Sequence, residues 1–88
     1  MSWVCEFTQD AQEDLKKLPR NIQERVARVL KQLENDPFQG NVKALKGDDW
    51  QGAFRRRIGS YRIIFTTDRN KQTVSIIRIL IRSGKTYR

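Results

Sequence analysis

Histidine is absent from this sequence, and cysteine occurs once. The first absence excludes Ser-His triads, Cys-His nucleophiles and the zinc sites that use imidazole. The second excludes an internal disulfide and fits a reducing compartment. No apolar run is long enough to span a bilayer. The first residues carry Glu6 and Asp10, with no basic start and no long apolar stretch, so no secretory signal is expected here and a cytoplasmic location is.

What the sequence has instead is positive charge. It has 88 residues, with 18 Lys and Arg against 10 Asp and Glu, a formal net charge of +8. A chain of this length is expected to form a single domain over residues 1–88, with helices layered on one sheet. Such a domain buries about 60–65% of its unfolded surface, so its core is modest. A charge of this sign and density attracts polyanions, which bears on partners rather than on fold.

Residues Trp3 to Phe7 alternate and read as a strand with Trp3, Cys5 and Phe7 on one face, where a buried thiol is the expected state of Cys5. Thr8 suits the N-cap of a helix from about Gln9 to Leu18. Asp10, Glu13 and Asp14 early and Lys16 and Lys17 late complement the helix dipole. Pro19 interrupts, and Asn21 is the expected cap of a second helix. Its stripe is Ile22, Val26, Val29, Leu30 and Leu33, and Asn35-Asp36-Pro37 stops it. Two short, closely joined helices predict an antiparallel hairpin. The polar stretch Gln39 to Asp49 reads as a connecting loop. After it the period changes to two: Ala53–Ile58, Tyr61–Thr67 and Thr73–Ile81 are strand-like. Gly59-Ser60 suits a type II′ turn, and Asp68-Arg69-Asn70-Lys71 a second hairpin loop. The expected order is β-α-α-β-β-β: an α+β fold, an antiparallel sheet with an N-terminal helical hairpin on one face.

The two-residue turn fixes the first hairpin's register. It pairs Ile58 with Tyr61, Arg57 with Arg62, Arg56 with Ile63, and Phe54 with Phe65. Alternation then places Phe54, Ile58, Tyr61, Ile63 and Phe65 on the helix-packed face, and Arg55, Arg57 and Arg62 on the other. Like charges directly opposite each other repel, so the fold gains nothing from Arg57 beside Arg62. An anionic ligand would reverse that cost, because guanidinium groups grip phosphate in a bidentate fork. A solvated face that keeps the sheet soluble is the competing reading. Arg56 falls on the apolar face, tolerable near an edge where its stem packs and its head reaches water. The last strand adds Arg78 and Arg82, followed by Lys85, Tyr87 and Arg88. Tyr87 reads either as a functional phenol or as an apolar latch for the tail.

The stretch Leu45-Lys46-Gly47-Asp48, followed by Phe54-Arg55-Arg56-Arg57-Ile58-Gly59-Ser60-Tyr61-Arg62-Ile63-Ile64-Phe65, resembles the RelE/ParE toxins. Those proteins show a Leu-Lys-Gly element, a basic-x-basic-apolar-Gly-x-Tyr-Arg hairpin, a last strand with Arg and a tail with Tyr. With the helical hairpin, the resemblance covers essentially the whole chain. It implies a RelE-like toxin of a type II toxin–antitoxin system, a metal-independent endoribonuclease that cleaves mRNA on the ribosome and needs no cofactor. It also implies a cognate antitoxin that silences the toxin, and contact with operator DNA only through the antitoxin complex. A ParE-like gyrase inhibitor without nuclease activity is the alternative. Residue by residue, Arg55 and Arg57 match the basic pair, Arg62 the arginine after the hairpin Tyr, Arg82 the last-strand arginine and Tyr87 the tail tyrosine. The basic pair is often lysine in the family, and Ile81 stands where many relatives have His.

RNA cleavage without metal requires a base for the 2′-hydroxyl, cations for the developing charge and an acid for the leaving 5′-oxygen. Arg57 stays protonated and is a poor base. Tyr87 suits that role if nearby arginines lower its pKa, while Arg55, Arg57 and Arg62 hold the phosphate and Arg82 supports the leaving oxygen. Such weak acid–base groups favour a substrate pre-strained by the ribosome.

Overall fold

The computed structural model describes residues 2–38, 40, 42–45 and 52–81. Strand β1 (Val4–Phe7) leads into helices α1 (Gln9–Lys16) and α2 (Arg20–Asn35). Strands β2 (Val42–Ala44), β3 (Ala53–Ile58), β4 (Tyr61–Asp68) and β5 (Thr73–Ile81) follow. The sheet order is β1-β5-β4-β3-β2. The expected α+β architecture is present, with two departures. The polar stretch after α2 contains a short strand, β2, which pairs with Phe54, Arg55 and Arg56 of β3. And β1 runs parallel to β5, Val4 facing Thr73 and Phe7 facing Ile76, so the sheet is mostly rather than wholly antiparallel. Alternation in β1 reports which face is buried, not which strand will lie beside it.

The hydrophobic stripe of α2 packs as its spacing dictates. Ile22, Val26, Val29 and Leu33 are buried against Ile58, Ile63, Phe65, Val74, Ile76 and Ile79, with Trp3, Cys5 and Phe7 beside them. Burying a side chain such as Phe65 or Leu33 contributes about 1.5–3 kcal/mol, so a handful of such groups carries a fold this small. α2 begins one residue earlier than its expected cap: Pro19 holds the N-cap position, without a side-chain hydrogen bond, and Asn21 lies inside the helix. Proline suits a helix start because it has no amide hydrogen to leave unpaired. The end of α1 is closed by Gln23, whose Nε2 donates to the carbonyls of Leu15 (2.8 Å) and Leu18 (3.2 Å).

β1 covers β5 only as far as Ile76, so the remaining edge of β5 needs other partners. α1 supplies them. Thr8 caps α1 by accepting from the Ala11 amide, and its hydroxyl donates to the Ile77 carbonyl at 2.9 Å. Six residues on, Asp14 Oδ2 accepts from the Ile79 amide at 3.0 Å and from Arg78 Nε at 2.7 Å, while Oδ1 accepts from Arg78 Nη2 at 3.2 Å. A register shift at Ile64/Phe65 leaves Ile77 as the extra residue on β5. Strict alternation from Ile76 would send Arg78 into the core. The bulge instead turns Ile79 inward and frees Arg78 to meet α1.

Burial pushes the Asp14 carboxyl up, but the Arg78 hydrogen bond, the Ile79 amide and the charges of Arg78 and Lys17 outweigh it. The net position is below the ordinary carboxylate range. A lowered folded-state value means that the stabilisation is complete above the unfolded value, near pH 4, and is lost as pH falls through the folded one. Asp14→Asn is expected to cost about 1–2 kcal/mol at pH 7, the Arg78 end being half in water. It should also flatten the acid limb of the stability profile. Urea melts at pH 7 and pH 3 check both: an equal loss at the two pH values would remove Asp14 as the cause.

Candidate functional site: an arginine face on the open side of the sheet

The β3–β4 turn places the site. Gly59 has φ +55°, and Ser60 is not among the residues of positive φ, as a type II′ turn requires of its two central positions. The resulting register pairs Ile58 with Tyr61, Arg57 with Arg62, Arg56 with Ile63, Arg55 with Ile64 and Phe54 with Phe65. This is the pairing read from the turn length. Ile58, Ile63 and Phe65 lie in the helix-side core, with Phe54 and Tyr61 packed against it. Arg55, Arg57 and Arg62 therefore project from the opposite face.

That face is not simply a wet surface. Arg55, Arg57 and Arg62 are all of intermediate exposure. Ile64 and Ala53, on the same side, are 2% and 4% exposed. Arginine stems over a dry apolar floor hold their charged heads in an environment of reduced dielectric, where an arriving anion is held more strongly than in open water. Arg55 Nη1 is itself enclosed. With two arginines in direct register and a third one step along the same strand, the face offers several forked donors to one tetrahedral oxyanion.

Arg78, which sequence alone placed among these cations, is engaged elsewhere, in the ion pair with Asp14. Nothing local signals that pairing, because the two residues are 64 positions apart. Arg56 sits on the helix side, next to the short edge strand, and donates to Gln32 Oε1 of α2. The expected Arg82 and Tyr87 lie outside the described residues, as do Lys46, Gly47 and Asp48 of the Leu-Lys-Gly element. Among the described residues no three His, Cys, Asp or Glu side chains gather into a metal-binding group, and no helix is long and apolar enough to cross a membrane.

The family model described as the ParE toxin of type II toxin–antitoxin system, parDE, matches residues 5–85. This chain belongs to the RelE/ParE family of type II toxins. The toxin's fold agrees. It resembles the toxin–antitoxin complex RelBE2 from Mycobacterium tuberculosis, with TM-score 0.83 and 31% identity over 93% of this chain and 100% of that one. The archaeal RelE–RelB complex from Pyrococcus horikoshii OT3 gives TM-score 0.79 at 22% identity, covering 96% of the toxin and 99% of that chain. The isolated RelE toxin of E. coli gives 0.80 at 18% identity, covering 98% and 92%. A comparison with curated proteins finds no match.

Cys5 takes no part in this face. Its thiol lies 3.8 Å from the Leu30 carbonyl, and burial, then the nearby Glu34 charge, push it up to about 11. Its thiolate fraction at pH 8 is then roughly 10⁻³, against about a quarter for a free cysteine, so alkylation by iodoacetamide should run about 10²-fold slower than for a small thiol. Mass spectrometry of a timed reaction gives the rate; modification as fast as glutathione would show the thiol to be exposed and ionised.

Proposed function

We propose that this toxin is an endoribonuclease that cuts mRNA on the ribosome, with the scissile phosphate held on the arginine face. The observation that carries the proposal is the direct pairing of Arg57 with Arg62, with Arg55 on the same side of β3. This is a costly arrangement for a sheet and a useful one for a phosphate. In the transition state the phosphorane carries more negative charge than the ground state. Cations fixed in advance by β-sheet backbone stabilise that extra charge without reorganising.

Arg55, Arg57 and Arg62 take the phosphate-binding role. Tyr87 is assigned the proton transfer at the 2′-hydroxyl, and Arg82 the support of the leaving 5′-oxygen. With no histidine in the sequence, neither proton transfer has a group poised near neutral pH. A ribosome that bends the message into an in-line geometry would supply the missing rate. Tyr61 and Phe65, packed on the core side, are not available to stack on bases, which weighs against a purely RNA-binding module. A cognate antitoxin carrying acidic and apolar residues would silence the toxin by covering the arginine face or the tail.

A ParE-like action on DNA gyrase is the second reading, because the matching family model carries that name. Two substitutions separate the readings. Tyr87→Phe should leave folding and RNA binding intact and slow cleavage by roughly 10²-fold or more, the scale of losing one acid–base group. Arg62→Ala should weaken RNA binding and lower its salt dependence, as expected when a phosphate contact is removed. The readout is cleavage of a message on purified ribosomes, with binding to an uncleavable 2′-O-methyl RNA measured in parallel. Wild-type protein that leaves the message whole, and an Arg62→Ala variant that binds RNA as it does, would remove the nuclease assignment.

A further inference from the structure

A second basic concavity lies on the other side of the sheet. Between α2 and the β3–β4 hairpin runs a groove of about 270 Å³, with Arg25, Arg28, Arg56 and Arg57 around a floor of Val29 and Ile58. It opens at one end of the β2–β3 ladder: among the described residues β2 pairs with Phe54, Arg55 and Arg56, and Arg57 and Ile58 lie beyond the last pair. Two glycines of positive φ bring guanidinium groups against bare backbone. A Cβ on Gly59 would come within 3.2 Å of Arg25 Nη1, and one on Gly40 within 3.0 Å of Arg56 Nη1. Side chains at either place would crowd these cations.

The helix gains nothing from this charge. Arg25 and Arg28 are neighbours on one helix face and repel mildly. Neither forms an ion pair among the described residues. A basic helix face dispersed in solvent would be unremarked. Here guanidinium groups from a helix and a strand instead border one recess, where an arriving anion meets Arg25 and Arg28 together.

We infer that this groove binds a phosphodiester of a nucleic-acid strand, at a site separate from the arginine face, an inference that rests on the nucleic-acid reading above. The lining selects the ligand class. The floor is two aliphatic side chains, too little apolar surface to seat an amphipathic protein segment, whereas forked guanidinium donors suit phosphate oxygens. Arg57 belongs to both sites, to the arginine face by register and to the groove as one of its lining residues. A strand that places one phosphate on each side of β3 therefore crosses a continuous line of cations, and a polymer of evenly repeated phosphates is the ligand able to follow it.

The test uses the whole protein and a uniformly 2′-O-methylated single-stranded 20-nucleotide RNA, which binds but cannot be cut. Arg25 and Arg28 are exposed, so Arg25→Gln/Arg28→Gln should melt within about 3 °C of wild type. Removing two phosphate contacts should reduce the slope of log K against log[salt] by about 1.4 and weaken binding about 10- to 30-fold at 0.1 M salt. Arg20→Gln/Lys31→Gln removes the same charge from the same helix outside the groove, and should change both quantities far less. Equal losses in the two double variants would assign the effect to net charge and overturn the site. So would an Arg25→Gln/Arg28→Gln protein that binds RNA as wild type does but loses affinity for a 12-residue oligoglutamate, which would make the groove a surface for acidic peptide. If only Arg62→Ala weakens RNA binding, the groove fails and the arginine face stands; if wild type binds no RNA, both fail.

Discussion

Gly59 and Ser60 join β3 to β4 in the shortest turn that an antiparallel pair allows, and most of the molecule's chemistry follows from that length. A two-residue loop with φ +55° at its first position permits one register, and that register sets Arg57 against Arg62. A slip of one residue would exchange the faces of one strand, carrying arginine into the core and Ile63 and Phe65 out of it. The same apolar residues that anchor the sheet on α2 thus hold the arginines in place on its far side. Repulsion between two guanidinium groups costs a few tenths of a kcal/mol, small beside the burial of Phe65 and Ile63. The core can therefore enforce a charge arrangement that the strands would not adopt by themselves.

The other end of the sheet solves a different problem. β1 is four residues long and β5 is nine, so on the side away from β4 half of β5 has no strand beside it among the described residues. Thr8 and Asp14 stand in for the missing strand, using side-chain oxygens where backbone would otherwise pair. Asp14 also draws Arg78 away from the arginine face. Among the described residues Arg78 is thus paired to close an edge, while Arg55, Arg57 and Arg62 project from the face opposite the helices and Arg25, Arg28 and Arg56 border the groove.

Much of this was legible in the sequence because it is local. The hairpin register, the face assignment of Phe54 through Phe65, the Thr8 cap and the α2 stripe each depend on residues within a few positions of one another. What escaped was non-local or irregular. β2 is three residues in a polar stretch, too short to show alternation, and it exists because β3 offers it an edge. The parallel pairing of β1 is decided by a crossover through two helices. The bulge at Ile77 breaks the period on which strand reading relies, and with it the expected place of Arg78. The groove went unseen because Arg25 and Arg28 lie off the apolar stripe of α2 and carry no local signal of a site. They acquire meaning only when the hairpin carries Arg56 and Arg57 alongside. Of the five residues proposed for catalysis, the three on the hairpin are gathered on one face, and Arg82 and Tyr87 fall outside the described residues.

The claim at the centre of this account is that the arginine face acts on RNA phosphate. Its most direct test is to induce the toxin in growing cells, sequence the 5′ ends of cellular transcripts within minutes, and assay plasmid supercoiling in the same cultures. New 5′ ends inside coding regions, reduced with Arg62→Ala, and unchanged supercoiling are the expected result. Intact transcripts together with relaxed or broken plasmid DNA would contradict it and place the toxin with the inhibitors of gyrase.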